Sequence, residues 1–104
     1  MTSIRIQARA SRQLDDIFRY TVGRWGIEQA ERYIEGLFES FERIADFRLV
    51  SRPIPAEFGV SGFFYRYDNH VVYWKTLSDG DIGIVTILHE RMHQIERLCD
   101  DFEL

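Results

Sequence analysis

Residues 82–88 read Ile-Gly-Ile-Val-Thr-Ile-Leu, a run rich in β-branched side chains in which Thr86 alone is polar. Ser78-Asp79-Gly80-Asp81 fences it on the N-terminal side, so the run reads as a strand leaving a tight turn. Simple alternation sets Ile82, Ile84 and Leu88 on one face and Val85 and Ile87 on the other. A strand apolar on both faces must be covered on both, so the rest of the chain has to supply two covers.

Upstream, Ile4 and Ile6 alternate with Arg5 and Gln7 as a short half-buried strand. From Ala10 the period becomes helical, with Leu14, Ile17, Phe18 and Val22 in step, Ser11 as a candidate cap and Asp15-Asp16 in the first turn. Gly23 to Gly26 predicts the break, and a second helix follows from about Ile27 to Asp46, burying Ala30, Ile34, Leu37, Phe38, Phe41, Ile44 and Ala45. Glu28 with Arg32 and Glu39 with Arg43 fall at i,i+4 on its outer face. Two helices so joined make an antiparallel hairpin.

Residues 47–61 are irregular, with Pro53 and Pro55 around Ile54. Gly62–Tyr67 and His70–Lys75 then read as strands joined by Asp68-Asn69, and a last helix from about Glu90 carries Met92, Ile95, Leu98, Cys99 and Phe102 on one side. The expectation is one α+β domain over residues 1–104 in the order β-α-α-β-β-β-α. An N-terminal strand and an antiparallel helical hairpin pack on a mostly antiparallel four-stranded sheet, with a C-terminal helix. The hairpin blankets one sheet face, leaving the short last helix for the other. An incompletely covered groove follows, of the kind that receives a partner's helix or strand.

Composition narrows the function. Thirteen basic against seventeen acidic residues give −4, which argues against general attraction to phosphate or anionic membrane. Lys75 is the one lysine among those cations. A lone Cys99 suits a reducing compartment, the start lacks a signal-peptide core, and no apolar run nears the roughly 18 residues of a membrane span. A cytoplasmic protein is expected.

Three chemistries compete. His89-Glu90-Arg91-Met92-His93 fits H-E-x-x-H, the zinc-peptidase pattern, but no histidine follows to supply a third ligand, and His89 falls where strand becomes helix. RNA cleavage would need converging cations with a proton-moving histidine or tyrosine, and Tyr65, Arg66, Tyr67, His70, Tyr73, Lys75 and Arg91 are the residues available. Protein binding needs only the exposed apolar surface.

Four stretches carry a family likeness: Ala10-x3-Leu14-x2-Ile17-x2-Tyr20; Trp25-Gly26-x2-Gln29-Ala30-x2-Tyr33; Asn69-His70-Val71-Val72-Tyr73; and Ile87-Leu88-His89-Glu90-Arg91-Met92. In order and over nearly the whole chain they resemble the ParE toxins of the ParE/RelE superfamily of type II toxin–antitoxin systems. The resemblance implies a toxin that poisons DNA gyrase by binding, with no catalytic residues and no cofactor, and that is neutralised by a ParD-like antitoxin wrapped around it. The chain departs from the pattern at Phe64, where the family often has arginine and Arg66 is the nearest candidate, and at His93, where aspartate is common. The ribosome-dependent RelE ribonucleases, the alternative reading, use a cluster of lysines and arginines and a tyrosine near the C-terminus, whereas this sequence has one lysine and no tyrosine in its last 11 residues. The partner-binding residues expected on this basis are Tyr65, Arg66, Tyr67, Tyr73, Trp74, Arg91 and Met92 on the sheet and adjoining helix, with Arg24 and Trp25 at the hairpin tip.

Overall fold

The computed structural model describes residues 3–46, 49–91 and 101–102. Strand β1 (Ile4–Ile6) leads into helix α1 (Ala8–Trp25), and helix α2 (Ile27–Ala45) follows after one residue. That residue is Gly26, with φ +92°, a backbone region that side chains disfavour. The hinge is therefore tighter than the Gly23–Gly26 break predicted from sequence, and Gly23 lies within α1. Helix α1 also starts earlier than expected, at Ala8, so Ser11 is inside it and Gln7 stands at the cap position without a side-chain bond.

Leu14 and Ile17 from α1 and Leu37, Phe41 and Ile44 from α2 form the apolar seam that packs on the sheet. Phe38, expected in that seam, is 42% exposed instead. It lies one position off the 37–41–44 stripe, and its ring meets Phe41 edge-on at 5.6 Å.

Strand β2 (Arg52–Pro53), a single 3-10 turn (Ala56–Phe58), and strands β3 (Phe63–Tyr67), β4 (His70–Thr76) and β5 (Ile82–His89) complete the described elements. The sheet has five strands in the order β1-β5-β4-β3-β2, one more than the four expected. The addition is the two-residue β2, which pairs Arg52 with Phe64 and Pro53 with Phe63 at an edge, where a proline is tolerated. β1 runs parallel to β5, and every other pairing is antiparallel.

The register holds one irregularity that changes the face assignment. Tyr73 pairs with Thr86 but Trp74 pairs with Ile84, so Val85 is an extra residue in β5. This β-bulge resets the alternation. Ile82, Ile84 and Ile87 therefore share the helix-facing core, while Leu88 joins Tyr73 and Ile54 on the opposite face. Sequence alternation had paired Ile87 with Val85 against Leu88, and one extra residue reverses it.

The opposite face, expected to be an incompletely covered groove, carries an apolar cover. Ile54, Phe58 and Val60 from the 54–60 segment, together with Phe102, pack on Phe64, Val71, Tyr73 and Leu88. Asp101 comes back to α1, where its Oδ1 stands 2.9 Å from Arg9 Nε. That contact is one of charges rather than an aligned hydrogen bond. Asp101 and Phe102 are helical, while the remainder of the predicted last helix, including Met92, lies outside the described residues. Among the described residues no helix is long and apolar enough to cross a membrane.

Candidate functional site

The alternation of β3 and β4 divides the residues singled out in the sequence. Tyr65, Tyr67 and Trp74 point under the helices, whereas Tyr73 and Phe64 belong to the far face. They do not form one surface. Tyr65 is 7% exposed, and its hydroxyl meets Ser40 Oγ at 2.5 Å. Ser40 spends its own proton on the Leu37 carbonyl at 2.6 Å, so the phenol is the donor. Burial pushes the Tyr65 phenol above its usual range, against the opposing pull of Ser40. Trp74 stacks on Phe63 at 4.7 Å and donates its indole N–H to Ser51 Oγ at 3.0 Å.

Tyr73 is buried at 4% exposure beneath the 54–60 segment, and burial pushes its phenol up to about 12. Tyr65 and Tyr73, expected among the partner contacts, are both buried in this chain, as core residues on opposite sides of the sheet. Arg66 is exposed, donates to the Asp68 carbonyl at 2.9 Å and pairs with Glu90. Arg91 is exposed just beyond β5. Arg24 and Trp25 occupy the hairpin tip as expected, with the guanidinium 5.8 Å from the indole centroid and Trp25 68% exposed.

The zinc-like pentapeptide does not ride one helix. His89 is the last residue of β5, Glu90 turns away from it with its carboxylate on Arg66, and His93 is outside the described residues. Two ligands at i and i+4 on a helical face require a geometry that His89 does not have.

The structure instead assembles a groove of about 470 Å³ between the hairpin tip and the β3–β4 turn. Asp16, Ile17, Tyr20 and Thr21 come from α1. Trp25, Gln29 and Tyr33 flank Gly26, Asp68, Asn69 and His70 form the turn, and His89 closes the floor. Sequence reading missed Tyr20, Tyr33 and Asp16. The signal was present, because Tyr20 and Tyr33 stand at similar distances on either side of Gly26, and an antiparallel hairpin sets such positions side by side.

Tyr33 Oη lies 2.7 Å from His70 Nδ1 and 3.4 Å from the Tyr67 carbonyl. The hydroxyl donates to the Tyr67 carbonyl when His70 is protonated at Nδ1, and to Nδ1 itself when the ring is protonated at Nε2. Burial first, then the charge of Asp68, pushes the Tyr33 phenol to about 12, so that proton stays in place. Burial and the neighbouring His89 ring, 5.4 Å away edge-on, push His70 down to about 4, with Asp68 opposing.

This yields a pH prediction with a fixed sign. The unfolded chain takes up a proton at His70 near pH 6.5, whereas the folded chain resists until about 4. The folded state is thus unpenalised above about pH 6.5 and loses stability as pH falls toward 4. Discounted for partial exposure, the loss is about 1–2 kcal/mol. Denaturant unfolding of wild type and His70→Gln at pH 7 and pH 4.5 isolates it: wild type should lose that much more than the variant, and equal losses would refute the account.

The sequence and the fold fit a known lineage. Residues 4–94 match the family model described as the ParE toxin of the type II toxin–antitoxin system, parDE. A Toxin ParE of Escherichia coli is 34% identical over 104 residues, covering 96% of each chain. A Toxin ParE1 of Caulobacter vibrioides is 30% identical over 95 residues, covering 89% of this chain and 94% of that one. In the fold alone, the chain matches one from a solved structure titled as the chromosomal ParDE TA system from P. aeruginosa. That match has a TM-score of 0.69 at 18% identity and covers 86% of this chain and 96% of the other. The protein belongs to the ParE toxin family of type II toxin–antitoxin systems.

Proposed function

We propose that the protein is a toxin that inhibits DNA gyrase by binding it, trapping the cleaved-DNA intermediate, and that a ParD-like antitoxin holds it in check. The reading places it in the cytoplasm with gyrase, without cofactor or bond-making chemistry of its own. Family membership across residues 4–94 supports this assignment. The observation that carries binding over catalysis is the state of the proton-moving side chains.

His70, the histidine on the aromatic strands, is held neutral by burial, with its Nδ1 engaged by the Tyr33 hydroxyl. An acid–base pair working near neutrality needs pKa values near neutrality. Tyr73 is pushed the other way, to about 12, and is buried. Arg66, the nearest cation on β3, is already paired with Glu90. RNA cleavage through His70, Tyr73 and Arg66 would thus have to start by dismantling local structure, whereas binding uses what is exposed. The contact residues then fall on two surfaces: Arg24 and Trp25 at the hairpin tip, and Arg66 with Arg91 beside the end of β5.

The test is a supercoiling assay with purified gyrase. Added protein should abolish the supercoiled product and accumulate cleaved DNA, and preincubation with the antitoxin should restore supercoiling. Unchanged supercoiling, or primer-extension stops in translated mRNA with DNA intact, would overturn the reading in favour of a RelE-like ribonuclease.

A further inference from the structure

The groove at the hairpin tip has a chemistry of its own. Tyr20, 58% exposed, and Trp25 stand at its mouth, and Tyr33 and His70 lie deeper. Two carboxylates, Asp16 and Asp68, border it, and among the described residues no lysine or arginine lines it. We propose that this groove seats an arginine side chain presented, next to an apolar residue, by a partner polypeptide. The role of the partner rests on the reading that the protein acts by binding other proteins, but the seat itself is argued from the groove.

A guanidinium is drawn to the faces of Trp and Tyr rings and donates in a planar fork to carboxylates, two features that this pocket combines. The indole already takes one guanidinium, since Arg24 lies over it from outside the groove. Asp16 has an exposed partner in Arg19 at 2.7 Å, a pair of the weak, readily exchanged kind. The Asp68 carboxylate has no ion pair among the described residues, so it is the stronger anchor. Its place is fixed by the turn, where its φ of +51° projects it beside His70. Ile27, exposed and adjacent to the tip, offers an apolar platform for the residue beside the arginine. A lysine meets the rings but lacks the flat fork, and an acidic segment would face two like charges.

The probe is the peptide acetyl-Leu-Arg-Leu-amide, with its arginine replaced by neutral, isosteric citrulline as the comparison. Both are titrated into the full chain and followed by the Trp25 indole and Asn69 amide NMR signals. The arginine peptide should give saturable shifts at these positions, and the citrulline peptide should bind about tenfold more weakly. Asp68→Asn, which removes the charge but tolerates the left-handed φ, should weaken the arginine peptide by a similar factor. Trp25→Ala, at an exposed position, should keep the melting temperature and lose binding. No shift at the groove, equal binding of citrulline, or full affinity in Asp68→Asn would each overturn the proposal. The gyrase assay fails separately: intact supercoiling with the arginine peptide still bound removes the target, not the seat.

Discussion

Replacing Tyr65 with alanine should destabilise the protein by about 3–5 kcal/mol, the cost of deleting a buried aromatic side chain. In a domain of this size, that lowers the melting temperature by roughly 15 °C or more. The ring fills the space between β3 and α2, where Leu37 and Phe41 pack. Its hydroxyl donates the 2.5 Å bond to Ser40. Tyr65→Phe keeps the ring and leaves Ser40 satisfied through Leu37, so it should cost only about 1 kcal/mol. Arg66→Ala, next in sequence but exposed, should change stability by no more than about 0.5 kcal/mol. Denaturant unfolding of the three variants separates the roles. A Tyr65→Ala protein as stable as wild type would mean that β3 is turned over relative to this account. Any loss of antitoxin binding in that variant would report unfolding, whereas a loss in Arg66→Ala would report a contact.

That contrast marks where the sequence could and could not be read. The two helices, the hairpin strands and the turn at Asp79-Gly80 were legible because their signals are local: a helical period, a turn dipeptide, a β-branched run. The sides of the sheet were not. Tyr65, Tyr67 and Tyr73 all read as aromatic strand residues, and nothing local says which of them the helices cover. The bulge at Val85 is less visible still, since it is set by the two strands being joined rather than by a residue signature. The cover on the second face hung on residues 54–60, which have too few periodic residues to announce that they fold onto Tyr73 and Leu88. The groove was legible in principle, but only after the hinge is placed on Gly26 alone. A four-residue connection would offset Tyr20 from Tyr33 and dissolve the pattern.

The bulge also leaves a polar debt, and one side chain settles it. β1 pairs with β5 only as far as Ile6 opposite Ile84, so the edge of β5 beyond the bulge has no neighbouring strand. Gln13 of α1 takes that place. Its Oε1 accepts the Ile87 N–H at 2.8 Å, and its amide meets the fully buried Thr86 hydroxyl at 2.9 Å. Gln13→Leu should therefore strand a backbone donor and a buried hydroxyl, at about 1–3 kcal/mol for each group left unsatisfied. A loss of about 2–4 kcal/mol is expected. Gln13→Glu keeps an acceptor for the Ile87 N–H and the Thr86 hydroxyl, so it should lose less than half as much near neutral pH. Hydrogen exchange at the Ile87 amide gives a local reading that global stability does not. Its protection relative to the Ile82 amide, which donates to the Ser3 carbonyl, should fall in Gln13→Leu and persist in Gln13→Glu. Equal protection in both variants would mean that the edge is closed by something other than α1.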